Sequence, residues 1–244
     1  MIQQTDQPRP FAVFDIDGTV VRWQLYHAIV DALLRQGYID GERFEAVRIA
    51  RMSWKRRVGS DSFNEYEAEL VKVFNEALQG LPVNMLEMAA QTVFGEYKEQ
   101  VYAYTRDLIY DLKQQGYLLF VISGSPSLIV KKLAEYYDFD DYAATEYTEK
   151  NGYFTGEMDQ TIGKKGELLQ QLMTKHGLET AGSIGVGDSE GDIAMLELCE
   201  RPIAFNPSKG LFKHAQLNKW EIVVERKNVI YNLSAEQGHY HLDK

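Results

Sequence analysis

Two carboxylates stand two positions apart at the end of a short apolar run, in the DIDGT of residues 15–19. On a strand, Asp15 and Asp17 point the same way. Like charges so placed raise each other's proton affinity, and ionised carboxylates in apolar surroundings need a cation or donors. A calcium loop would be one answer. Counting from Asp15, however, puts Val20 sixth and Tyr26 twelfth, where an EF-hand needs Gly and Glu. The remaining bland reading is a strand-end turn with solvated acids.

Three other stretches carry chemistry. In VISGSPS, Ser123 ends an apolar run and Pro126 stands where a helix would take a proline at its first position. A serine beside free helix N-terminal amides suits an anion, and Ser125 is also placed to cap that helix. In GKKGELL, Lys164 and Lys165 precede a helical pattern, a poor place for cations unless an anion needs neutralising. The spacing is not that of a P-loop. In GVGDSEGDIAML, Asp188 ends a strand and Asp192 follows one helical turn later. A dinucleotide fingerprint from Gly185 and Gly187 fails, because position 190 is Glu. AGSIG fails as a nucleophile elbow, because Ser183 opens its strand instead of following it.

The elements around these motifs predict how they meet. FAVFD, YLLFVISG, DYAAT, GSIGVGD, PIAFN and EIVV read as short strands. Between the later ones run helical patterns, SLIVKKLAEYY and GELLQQLMTKHG. Alternation of this kind predicts a parallel sheet covered on both faces. Ligands bind such sheets at the carboxyl ends of the strands, where Asp15, Asp17, Ser123 and Asp188 all fall. Three converging carboxylates call for a divalent cation, and an all-oxygen set favours Mg²⁺. Residues 23–97 show only helical spacing, as in Leu25, Ile29, Leu33 and again in Phe63, Tyr66, Leu70, Val73, Phe74. An all-helical block inserted after the first strand is expected to cover the strand ends. YTEKNGYFTGE reads as a hairpin turning at Asn151-Gly152, and EQGHYHLDK as a polar, loosely held tail, whose His239 and His241 alternate.

Composition narrows the class. A net charge of −10 argues against a nucleic-acid binder. The single cysteine, Cys199, excludes an internal disulfide and a thiolate zinc cluster, and reads as a small buried residue. MIQQTDQPRP lacks the basic start and apolar core of a signal peptide, and no apolar run is long enough to span a bilayer. The expectation is a cytoplasmic protein with neither nucleic-acid nor membrane partners.

Taken in order, DIDGT, Ser123, Lys165 in KGELL, and GDSEGD resemble the four motifs of the haloacid dehalogenase superfamily of phosphatases, and are most similar to its phosphoserine-phosphatase-like branch. The resemblance implies an α/β fold: a Rossmann-like three-layer core with a parallel sheet, formed by residues 1–22 and 98–244, plus an inserted all-helical cap domain over 23–97. It implies Asp15 as nucleophile and Asp17 as general acid, then base. Mg²⁺ would sit on the Asp15 carboxylate, the Asp17 backbone carbonyl and Asp188. Ser123 and the Gly124 amide would hold the phosphoryl oxygens, and Lys165 would balance charge. Gly18, Thr19 and Asp192 would support the site, Asp192 by positioning the lysine or a metal-bound water.

The substrate implied is a small phosphorylated metabolite, and the chain a monomer or homodimer. Substrate recognition departs from the phosphoserine pattern. Gln24 replaces the Glu nine residues after the nucleophile, and aligning Phe63 with the family's cap Phe puts Leu70 where an Arg is usual. Arg51, Arg56 or Arg57 could substitute. A phosphoserine phosphatase, and a binding protein that has lost catalysis on the same scaffold, are the alternatives.

Overall fold

The computed structural model describes residues 9–59, 62–236 and 239–242. Its strands are β1 (Phe11–Phe14), β2 (Leu118–Pro126), β3 (Asp141–Lys150), β4 (Tyr153–Asp159), β5 (Ile184–Gly187), β6 (Arg201–Phe205), β7 (Glu221–Arg226), β8 (Val229–Glu236) and β9 (His239–Leu242). Its helices are α1 (Leu25–Arg35), α2 (Glu45–Lys55), α3 (Ser62–Leu78), α4 (Val83–Tyr97), α5 (Ala103–Gln114), α6 (Ser127–Tyr136), α7 (Lys165–His176), α8 (Ile193–Leu196) and α9 (Lys209–Asn218). Among the described residues the strands form one nine-stranded sheet in the order β4-β3-β2-β1-β5-β6-β7-β8-β9.

Every residue of β1 is buried, as a central strand covered on both faces requires. Alternation sends Ala12 and Phe14, with Leu119 and Val121 of β2, into one apolar layer. Phe11 and Val13, with Phe120 and Ile122, enter the other, against Leu169 and Leu172 of α7, Met195 and Leu196 of α8, and Leu211 and Ala215 of α9. This gives three layers. Parallel pairing of β1 with β2 (Phe14 beside Val121) and with β5 (Phe14 beside Val186) brings the carboxyl ends of three strands level.

Helices α1–α4 fill residues 25–97, and their buried side chains join the first apolar layer. Backbone bonds tie the α3–α4 turn to the β3–β4 hairpin: Gly80 N–H to Phe154 C=O at 2.9 Å and Phe154 N–H to Leu81 C=O at 3.0 Å. The hairpin turns where expected, with Asn151 and Gly152 both at positive φ (54° and 80°), the combination a two-residue turn between right-twisted strands needs. Where the chain enters the helical block, Arg22 pairs with the buried Glu225 of β7 and donates from Nε to Val101 C=O at 2.8 Å.

The sheet is parallel from β3 to β7, as expected for such a core; β4 pairs antiparallel with β3 in the expected hairpin, and β8 and β9 extend the other edge antiparallel. Two expectations need correction. The tail is no loose end over 239–242. It forms β9, and the Tyr240 hydroxyl lies 3.0 and 2.9 Å from the carbonyls of Ala215 and Trp220. Pro126 stands one residue before a helix's first position, as the N-cap residue of α6. It ends β2 with extended dihedrals (φ −56°, ψ 137°), and α6 starts after it without a side-chain cap.

His27 of α1 is 3% exposed, with its ring against Tyr66 and Phe63. Burial, helped by the charge of Arg51, lowers its pKa to about 4. The unfolded chain therefore takes up this proton first as the pH falls, so the stability that neutral His27 contributes is complete above about pH 6.5 and drains away toward pH 4. His27→Phe should flatten the acid limb of the stability curve by about 1.4 kcal/mol per pH unit across that window, as read from urea unfolding at a series of pH values.

Candidate active site

Each strand end delivers its group differently. Asp15 follows β1 directly, its N–H bonded to Val186 C=O at 2.9 Å, and its side chain is buried. Lys165, the first residue of α7, reaches it: Nζ lies 2.7 Å from Asp15 Oδ1 and 2.6 Å from Asp192 Oδ1. The other oxygen of Asp192 accepts from the amides of Asp188 (3.1 Å) and Ser189 (3.0 Å) and from the Ser189 hydroxyl (3.1 Å). Both oxygens are thus committed, and Asp192 acts through Lys165. Close packing makes this possible, because a Cβ on Gly187 would fall 2.6 Å from the Asp192 side chain. Lys164 turns outward to Asp159 at 2.7 Å and takes no part in the site.

The Asp17 carboxylate is tied by three donors to two elements, α1 and β2. Oδ1 accepts from Leu25 N–H at the start of α1 (2.5 Å), while Oδ2 accepts from Ser123 (2.8 Å) and Ser125 (2.9 Å). Ser125 does not cap α6. With Pro126 extended, Ser123 and Ser125 lie two apart on the strand and share one side. The backbone carrying them is pinned by buried threonines, Thr161 donating to Ser123 C=O and Thr145 to Gly124 C=O, both at 2.8 Å. Burial raises the pKa of Asp17, against the pull of these donors. A carboxyl whose affinity for its proton is raised is suited to exchange that proton with a leaving group.

Burial also pushes Asp15 up, to about 7, with Lys165 opposing and Asp192 and Asp17 adding to the rise. Asp188 is raised well above the carboxylate range by burial and by the charge of Asp15. Lys165 shifts upward, because Asp15 and Asp192 outweigh a burial that disfavours its charge. One lysine is therefore too little cation for these acids. Carboxylate oxygens of Asp15, Asp188 and Asp192 lie within 4.8 Å of one another. With Asp192 committed elsewhere, Asp15 and Asp188 are the acids free to hold a hard divalent cation, and the oxygen-only donor set fits Mg²⁺.

Gly18 makes room for this arrangement, since a Cβ there would stand 2.2 Å from Asp188 Oδ2 and its φ is +83°. Gly18→Ala should weaken Mg²⁺ binding by about 10- to 100-fold, measurable by calorimetric titration. Thr19 supports through its backbone, its carbonyl accepting from Thr105 at 2.9 Å. Its buried hydroxyl has no partner among the described residues.

These groups open into a cavity of about 450 Å³, lined by Asp15, Asp17, Gly124, Lys165 and Asp188 from the sheet side. The helical block adds Gln24, Tyr26, Phe63, Glu67 and Val71. Leu70 is buried away in the core. Arg51 pairs with Asp31 at 3.7 Å, while Arg56 and Arg57 line other hollows. None of the three arginines lines this cavity. Ser125, read from sequence as a helix cap, and Glu67, not singled out at all, are the residues the sequence did not assign to the site. The Ser-x-Ser alternation was a signal for the first. The second appears only as a polar residue between Phe63 and Val71.

Comparison with known proteins gives the family. The chain matches the haloacid dehalogenase-like hydrolase family over residues 12–197. It is 28% identical over 202 residues to a phosphoserine phosphatase of Archaeoglobus fulgidus, covering 82% of this chain but 53% of that protein, so it spans about half the length of that relative. With a phosphoserine phosphatase of Methanocaldococcus jannaschii it shares 23% identity over 227 residues, covering 92% of this chain and 96% of the other. A substrate-bound phosphoserine phosphatase structure superposes with a TM-score of 0.65 at 23% identity, covering 91% of this chain and 96% of that one, a likeness of fold. With its strand ends so furnished, the chain belongs to the haloacid dehalogenase-like hydrolases, and its likeness is to their phosphoserine-phosphatase-like members.

Proposed function

We propose that this chain is a Mg²⁺-dependent phosphatase that hydrolyses a small phosphomonoester through an aspartyl-phosphate on Asp15. The observation that carries the reading is a buried Asp15 held by Lys165 at 2.7 Å on the floor of a cavity. In the first step a carboxylate oxygen of Asp15 bonds to phosphorus, and the bond from phosphorus to the leaving oxygen breaks. Asp17 gives that oxygen its proton. In the second, water attacks phosphorus, Asp17 takes the proton back, and the Asp15 carboxylate is restored with release of phosphate.

Ser123 and Ser125 suit this exchange because hydroxyls both donate and accept. They can follow the proton on Asp17, and Ser123, with the Gly124 amide, can turn a donor to the phosphoryl oxygens. Lys165 offsets negative charge on Asp15 and the transferring group. Mg²⁺, held by Asp15, Asp188 and the Asp17 carbonyl, would neutralise and orient the phosphoryl group.

Residues 1–22 and 98–244 act as the catalytic core and 23–97 as the cap, a division supported by the five cavity-lining residues between Gln24 and Val71. A cap of this kind excludes bulk water and favours small substrates. Among the described residues no helix is long and apolar enough to cross a membrane. Action in the cytoplasm belongs to the same proposal, in keeping with a lone, buried thiol at Cys199.

Phosphate release from para-nitrophenyl phosphate tests the reading. Activity should require Mg²⁺, vanish with EDTA and return on adding Mg²⁺ back. Turnover that EDTA leaves untouched would overturn it.

A further inference from the structure

The cavity wall opposite the catalytic groups carries a charge that hydrolysis itself does not use. Along α3, Phe63, Glu67 and Val71 recur every four residues and so share one helix face, and all three line the cavity. Among the described residues no hydrogen bond or ion pair reaches the Glu67 carboxylate. The charges of Asp17 and Lys165 are nonetheless felt there, and burial raises its pKa.

Among the described lining residues, Lys165 is the single cation, and it is spent on Asp15 and Asp192. A divalent cation would offset a phosphoryl dianion, so Glu67 is left lining the cavity with no protein partner among the described residues. A carboxylate on that group would meet Glu67 with no arginine in the cavity to receive it. An ammonium would find an acid beside two aromatic rings, Tyr26 and Phe63, and both attract cations. Val71 adds an apolar side chain on the same helix face, and Ile162, beside Gly124, another on the sheet side.

We infer that the substrate is the phosphomonoester of an amino alcohol, its ammonium held by Glu67 between Tyr26 and Phe63, with an apolar or aromatic substituent and no carboxylate. This rests on the phosphatase reading above and selects against phosphoserine within it. The helical block supplies the acid, whereas Gln24 beside the catalytic loop is neutral.

Three phosphate esters test it: 2-amino-3-phenylpropyl phosphate, the deaminated 3-phenylpropyl phosphate, and O-phosphoserine, with para-nitrophenyl phosphate run alongside. The amine should exceed its deaminated counterpart in kcat/KM by about 10-fold or more, mostly through KM, and O-phosphoserine should fall below the amine. In Glu67→Gln the ratio of amine to deaminated ester should drop to about threefold or less, whatever the absolute rate. Equal kcat/KM for the two esters in the wild-type enzyme, a ratio unchanged by Glu67→Gln, or O-phosphoserine as the best of the three would each overturn the inference alone. Failure to hydrolyse even para-nitrophenyl phosphate would overturn both this inference and the phosphatase reading beneath it.

Discussion

Asp15→Asn should lower kcat by about 10⁴-fold or more, since an amide cannot serve as nucleophile toward phosphorus at the rate a carboxylate does. The fold should survive the change. The substitution keeps the side chain's shape and removes a buried charge whose pKa burial has already pushed to about 7. Lys165 retains Asp192 as its partner at 2.6 Å. A thermal midpoint within a few degrees of wild type alongside lost turnover would separate chemistry from folding. Undiminished kcat in the Asp15→Asn variant would remove Asp15 from the mechanism.

Lys165→Met should damage both activity and stability. Lys165 is 8% exposed, and its ammonium stands between two buried carboxylates. Removing one member of such a cluster leaves uncompensated charge, at a cost of about 3–5 kcal/mol. Turnover should fall by about 10³-fold, the scale of losing one preorganised group that stabilises transition-state charge. Urea unfolding and steady-state kinetics on the same preparation read the two effects together. Mg²⁺ should restore part of the stability, by supplying positive charge to Asp15. A variant as stable as wild type without metal would mean that the carboxylates are not held ionised by the lysine.

Much of the site was legible because its groups end apolar runs. Asp15 closes FAVF, Asp188 closes IGVG, and a parallel sheet gathers such ends at one edge. Lys164 and Lys165 were both marked by standing at a helix start where a cation is misplaced unless something negative faces it, and the family resemblance of KGELL singled out Lys165. Ser125 was misread because Pro126 suggested a helix start one residue earlier than the one that forms. The proline's dihedrals suit an extended chain equally well, and that choice alone decides whether Ser125 caps a helix or joins Ser123 beneath Asp17.

The edge strands were hidden for a different reason. Polar composition in the tail argued for solvent, yet the Tyr240 hydroxyl finds one carbonyl of α9 and one of the turn after it, and β8 supplies the partner backbone. Such pairings lie between segments and leave little local trace. Glu67 belongs to the same class. Its helix was legible, but which face of α3 looks into the cavity follows from packing against α2 and the β3–β4 hairpin.

The central claim is a phosphoryl group carried on Asp15. Acid-quenching the enzyme during turnover of para-nitrophenyl phosphate with Mg²⁺, digesting it and weighing the peptides by mass spectrometry would test that claim most directly. The peptide containing residues 12–21 should gain the mass of one phosphoryl group at Asp15, and the same peptide from Asp15→Asn should gain none. A turning-over enzyme whose label sits on another residue, or that carries none at any quench time, would contradict the account.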